Sequence, residues 1–407
     1  MKAFHPSKKL ILAMSAALSC GTFAIQSTQA SDINWTSPTL LEGRANMMYP
    51  GLNFLTFQHF DQMFSTRTVT AGANVWPLEY GSVDLGDDFE LHGERMTLEE
   101  HMEQTRGNAL MVIHKGKVVH EQYRNGMTPE SRHTVYSMSK SIIATLFGIA
   151  LEEGYIDSLN DPVTKYLPRM AGSGYDGVSV EDVLLMRSGV NWEERYEFGS
   201  QTQLTEVHDN AVVGYAYRWC DYAEGIEKLH EPGTHFNYAT IDTSILGCIL
   251  EAATERKVAD YMSEKIWQPA GMENDGYWIM DGAEPEGDEF YGAGFNASLR
   301  DLGRFGLMML NQGEANQQQV VSKEWVAAST IAAEGYEPTE PGSPFGYQYQ
   351  WWTLTDSNAY SAIGLFNQFI YVDPDSQTVI VKLSSPESPL GDEEGNLEFF
   401  QQIIDKL

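Results

Sequence analysis

Ser137 and Lys140 stand three residues apart in the run Tyr136-Ser137-Met138-Ser139-Lys140-Ser141. On a helix, positions i and i+3 share a face, so the Lys140 amine can reach the Ser137 hydroxyl and take its proton, as a serine nucleophile requires. No other serine in the chain lies three residues before a lysine. An apolar helical run follows over residues 142–151 and Glu152-Glu153-Gly154 reads as its end, so a polar pair opens a helix otherwise built for burial. The plainer alternative is a helix-capping serine beside a surface lysine. At a helix N-terminus, Ser137 has free N–H groups and a dipole that favour developing negative charge. The same field, with burial, pushes the lysine pKa down toward that of a working base. Ser139 falls on a different face and reads as structural.

A serine nucleophile also needs a group to protonate what leaves. Tyr238, in Phe236-Asn237-Tyr238-Ala239-Thr240, follows the Pro232-Gly233 turn and precedes a helical run over residues 244–252. Its phenol could supply that proton, and a nearby ammonium is expected to lower its pKa from about 10. Composition alone reads it as a half-buried tyrosine. Two other signals fail. His230 and His235 are five apart and separated by Pro-Gly, which breaks a zincin-like helix, so no metal site is called for. Neither a Gly-Xaa-Ser-Xaa-Gly elbow nor a phosphate-cradling glycine loop is present, and the chemistry needs no cofactor.

The elements that must hold these residues can be read in order along the chain. Lys2, Lys8 and Lys9, an apolar run over residues 10–24, and Thr28-Gln29-Ala30 form the pattern of a signal peptide, with cleavage expected after Ala30. Leu18-Ser19-Cys20 also admits a lipoprotein reading, against which Ala17 counts. Residues 33–95 read as an N-terminal wrap. Thr97-Leu98-Glu99-Glu100 has the capping-box pattern of a short helix. Residues 109–114 and 118–123 flank Lys115-Gly116-Lys117 as a β-hairpin that leads toward Ser137. Helices then dominate residues 137–343, with caps at Ser179 and Ser298 and breaks at Glu231-Pro232-Gly233 and around residues 340–344. Strand chemistry returns over 347–352, 368–372 and 378–383, and a final helix spans about 397–406. The division is thus 1–30 leader, 31–136 first part of a sheet domain, 137–343 mostly helical insertion, and 344–407 closing strands and helix. An α+β fold follows, its antiparallel sheet built from both termini.

The formal net charge is −31 over 407 residues, and removal of the leader's three lysines makes it more negative. Such a surface repels phosphate backbones and anionic lipid, so neither nucleic acid binding nor membrane insertion is expected. Oligomeric state is not legible. Apart from the leader, Cys220 and Cys248 remain, and Cys248 lies in the apolar run Ile245-Leu246-Gly247-Cys248-Ile249-Leu250, where a buried free thiol is expected. Periplasmic or secreted placement follows from the leader.

The Ser137-Met138-Ser139-Lys140 helix start, followed about a hundred residues later by Tyr238-Ala239-Thr240, resembles the serine β-lactamase and penicillin-binding superfamily. Within it the chain looks most like 6-aminohexanoate-dimer hydrolases and family VIII-type carboxylesterases. The supporting phrases include Gly154-Tyr155-Ile156-Asp157, Pro162-Val163-Thr164-Lys165-Tyr166-Leu167-Pro168 and Gln350-Trp351-Trp352. The resemblance implies the α/β sandwich of that superfamily and a serine hydrolase working through an acyl-enzyme on a small ester or linear amide. Ser137 becomes the nucleophile, Lys140 its base and Tyr238 the proton shuttle. Thr240 stands where the family's Tyr-Xaa-Asn has its third residue. The family's cationic Lys-Thr-Gly has no counterpart: the corresponding stretch reads Gly364-Leu365-Phe366-Asn367-Gln368. Phe366, Asn367 and Gln368 are therefore substrate-side candidates, and recognition of the carboxylate of a β-lactam or peptide is disfavoured. Tyr196 matches a substrate-side tyrosine of the amide-cleaving branch, and Asp209 could bind a substrate amine. The alternatives are a β-lactamase or DD-peptidase-like enzyme, and a binding protein that has kept the fold without the chemistry.

Overall fold

A computed structural model describes residues 33–332 and 342–407. The expected leader, residues 1–30, and the cluster positions 340 and 341 lie outside the described residues.

The main sheet has eight strands. From one edge they are Phe345–Gln348, Trp351–Leu354, Tyr360–Gly364, Gln368–Asp373, Thr378–Ser384, Gly107–His114, Lys117–Tyr123 and Glu79–Tyr80. All neighbours are antiparallel except the last pair, where Glu79–Tyr80 runs parallel to its partner. The two ends of the chain meet where Thr378–Ser384 pairs with Gly107–His114, Val381 opposite Met111. Both strands are buried almost throughout because both faces are covered. Met111, Ile113, Val379 and Val381 face the larger core with Phe305 of the helix Leu299–Leu310. Leu110, Val112 and Ile380 face a second core with Phe399 and Phe400 of the closing helix Glu393–Ile404.

A smaller antiparallel sheet joins Thr66–Val69, Gly276–Ile279, Phe295–Ser298 and Arg132–Thr134. Two of its strands come from the stretch that reads as mostly helical in sequence. Residues 347–352, which read as one strand, instead form part of a hairpin. Its turn is Tyr349-Gln350, with φ of 37° and 67°. The capping boxes at Thr97 and Ser179 are present.

Cys220 and Cys248 are disulfide-bonded, which corrects the expected free thiol. The short helix Trp219–Tyr222 lies against Thr240–Thr254, and this brings the two Cα atoms to 6.5 Å, within bridging range. Helix Thr240–Thr254 also packs beside Met138–Glu152, so the segments carrying Tyr238 and Ser137 enter the site together.

Candidate active site

The strand Arg132–Thr134 ends two residues before Tyr136, whose φ of 47° is left-handed. Such a conformation costs a non-glycine residue roughly 1–3 kcal/mol and persists only where packing imposes it. Here the packing is aromatic: the Tyr136 ring lies 5.2 Å from Phe57 and 5.4 Å from Phe366. The bend delivers Ser137 to the first position ahead of the buried helix Met138–Glu152, where backbone N–H groups lack intrahelical partners. Gly364, at the end of its strand, faces this bend. A Cβ there would sit 2.2 Å from the Val135 carbonyl oxygen and 3.2 Å from the Ser137 nitrogen, so only glycine leaves that N–H uncovered.

Lys140 is 1% exposed, and its Nζ lies 3.0 Å from Ser137 Oγ, 3.1 Å from Thr240 Oγ1 and 2.9 Å from the Gly292 carbonyl oxygen. Burial lowers its pKa to about 8, with the Glu194 carboxylate pulling partly the other way. The partners fix the direction of each hydrogen. Gly292 O can only accept. The Thr240 hydroxyl donates its single hydrogen to Glu194 Oε1 at 2.7 Å, so toward Lys140 it can only accept. The two hydrogens of a neutral amine are therefore taken by Gly292 and Thr240, and its lone pair is left facing Ser137. The arrangement orients Lys140 as a base.

Glu194 was not legible as a site residue in the sequence. Its carboxylate accepts from Trp192 Nε1 at 2.7 Å, from the Thr240 N–H and hydroxyl at 2.7 Å each, and from the Tyr196 hydroxyl. An acid at the N-terminus of helix Thr240–Thr254 is favoured by the helix dipole. The one available signal was its place two residues before Tyr196.

Tyr238 stacks on Trp352 at 5.4 Å, and the Lys140 ammonium position lies 4.9 Å from its ring centre. Desolvation and the Glu194 charge push its pKa well above the usual value, against a lowering hydrogen bond with Ser137. The expected lowering by an ammonium is thus reversed: burial and a carboxylate outweigh it. Tyr238 is held as a phenol, a donor.

The other candidates separate. Tyr196, its pKa likewise raised by desolvation and Glu194, borders the cavity beside Ser137, as do Thr240 and Asp209. The Asp209 carboxylate lies 3.2 Å from His208 Nδ1. Phe366, Asn367 and Gln368 are buried, and their side chains hold the turn instead of lining the cavity. Asn367 Oδ1 accepts the Asp392 N–H at 3.0 Å, and Gln368 Nε2 donates to the Phe366 and Ser384 carbonyls at 2.7 Å each. From this turn it is Leu365 that borders the cavity. Ser139 accepts the Phe295 N–H at 3.1 Å, a structural bond. Among the described residues no group of His, Cys, Asp or Glu could hold a metal ion.

Comparison with known proteins gives the following. The sequence model of the Beta-lactamase family matches residues 95–400. A 6-aminohexanoate-dimer hydrolase from Paenarthrobacter ureafaciens is 34% identical over 304 residues, covering 72% of this chain and 76% of that protein. Among solved structures, a Bacillus anthracis protein assigned as a 6-aminohexanoate-dimer hydrolase superposes with a TM-score of 0.79 at 24% identity, covering 88% of this chain and 95% of the other. A family VIII carboxylesterase superposes with a TM-score of 0.58 at 16% identity, covering 76% and 95%.

Proposed function

The chain belongs to the beta-lactamase family and is a serine hydrolase, and we propose that Ser137 is its nucleophile, Lys140 its base and Tyr238 its proton donor. The substrate is a small ester or linear amide. The observation that carries this reading is the hydrogen-bond pattern of Lys140, whose two obligate acceptors aim its lone pair at Ser137.

In acylation, Ser137 Oγ attacks the carbonyl carbon while its proton passes to Lys140. The oxyanion is met by the Ser137 N–H, with main-chain donors of the 364–368 turn beside it. Tyr238 then gives its proton to the leaving oxygen or nitrogen as that bond breaks, leaving a phenolate beside the Lys140 ammonium. In deacylation the phenolate takes a proton from water, and the resulting hydroxide attacks the acyl carbon. Ser137 Oγ departs with the proton held on Lys140, and all three groups are restored. A high Tyr238 pKa suits this cycle, because the same group that donates as a phenol is a strong base as a phenolate.

In this reading Tyr196 assists amide cleavage and Asp209 receives an amine at the far end of a linear substrate; both border the cavity beside Ser137. The leader pattern of residues 1–30 supports a secreted or periplasmic enzyme. The absence of a cation in Gly364-Leu365-Phe366-Asn367-Gln368 favours esters and amides over β-lactams. Labelling by a fluorophosphonate probe, compared with Ser137→Ala, tests the assignment. Labelling confined to the unaltered enzyme is expected, and an unlabelled parent, or a labelled Ser137→Ala, removes it.

A further inference from the structure

A cavity of about 320 Å³ opens on Ser137, near the low end of the ~300–1,000 Å³ typical of ligand pockets. It is bordered by Thr240 and Tyr136, while Tyr238, the proposed donor to the leaving group, is not among its described walls. That position suits the acyl side of the substrate. One part of its lining is a single run of five consecutive residues, Ala45-Asn46-Met47-Met48-Tyr49, and another comes from residues 195–200 and the His208–Val213 helix. The first run precedes residues 95–400, the span shared with the family.

Arg44 links these two parts of the lining. Its guanidinium is fully buried, donates to the Val213 carbonyl at 2.7 Å and the Met63 carbonyl at 2.9 Å, and lies 4.1 Å from the Tyr215 ring centre. Val213 ends the helix that carries His208 and Asp209, so one side chain ties the N-terminal run to that helix. Along that run the side chains grade from buried Met47 through half-buried Met48 to Tyr49, which is 60% exposed. None is charged. Met47 and Met48 both border the cavity, and methionine adapts readily to aliphatic groups.

We propose that residues 45–49 form the specificity wall of the hydrolase, setting the length of the aliphatic acyl group it accepts. This rests on the serine-hydrolase assignment of the site. The test uses the full enzyme and p-nitrophenyl esters from acetate to decanoate, with Met48→Trp to shorten the pocket and Met48→Ala to lengthen it. The kcat/KM ratio of octanoate to acetate is expected to fall by at least about tenfold in Met48→Trp and to rise in Met48→Ala, since each excluded or admitted methylene changes transition-state binding. Both variants are at a half-buried loop position, and fluorophosphonate labelling confirms that each is folded and reactive. A ratio unchanged in both labelled variants overturns the wall. No ester turnover and no labelling in the parent enzyme overturns the hydrolase assignment itself, and the wall with it.

Discussion

Glu194 and Thr240 are joined twice: one carboxylate takes both the N–H and the hydroxyl hydrogen of Thr240, each at 2.7 Å. That pair of hydrogen bonds holds the threonine as an acceptor toward Lys140. In Glu194→Gln the side chain keeps one accepting oxygen for donors that now use two, and the Thr240 hydroxyl can turn its hydrogen onto the Lys140 lone pair. Ester kcat/KM is expected to fall at least about tenfold, or ~1.4 kcal/mol in the barrier. The change also removes the charge that raises the Lys140 pKa, so the acid limb of the pH profile should move to lower pH. A loss of rate with an unmoved limb would indicate a merely structural residue.

The proposed base is neutral Lys140, whose pKa is lowered by burial to about 8. Below that value the active fraction falls as protons bind. Ester kcat/KM should therefore climb by about tenfold per pH unit up to roughly pH 8 and level above it. Lys140→Met should lose about 10³-fold with the same limb absent. Stopped-flow acylation across pH 5.5–9.5 measures both.

Gly364→Ala should fold and yet lose most activity. The new methyl group would press on the Val135 carbonyl and crowd the Ser137 N–H that is to bind the oxyanion. Removal of one such donor typically costs about 10²–10³ in kcat. Unchanged kcat at matched thermal stability would exclude Ser137 N–H from that role.

The Cys220–Cys248 bridge closes a loop with a sequence separation of 28. In the chain-entropy picture a loop of this size is worth ~3–4 kcal/mol. Cys248→Ser, or full reduction, should lower Tm by several degrees, read by calorimetry under oxidising and reducing conditions.

Legibility in the sequence followed range. Ser137 with Lys140, the 107–123 hairpin and the Thr97 and Ser179 capping boxes are local patterns, visible within a few residues. Glu194 acts through Thr240, 46 positions away, and an exposed-looking acidic loop gives no hint of that. The turn at Tyr349-Gln350 uses left-handed backbone without glycine or asparagine, so nothing in the letters separates its strands. The strands Gly276–Ile279 and Phe295–Ser298 are four residues each and buried throughout, with too little pattern to mark them until their partners at residues 66–69 and 132–134 are known. Cys248 sits among aliphatic residues on a buried helix, where a thiol and half of a disulfide look alike.

Lys140 owes its lowered pKa to burial, which the packing of helices Met138–Glu152 and Thr240–Thr254 supplies and an extended chain lacks. Unfolded, the same lysine reverts to a pKa of about 10.4 and Ser137 to an ordinary alcohol. A newly made or denatured molecule thus carries the whole Ser-Xaa-Xaa-Lys signature and none of its reactivity. Hydrolytic danger is confined to the finished fold, and folding itself is the activation step.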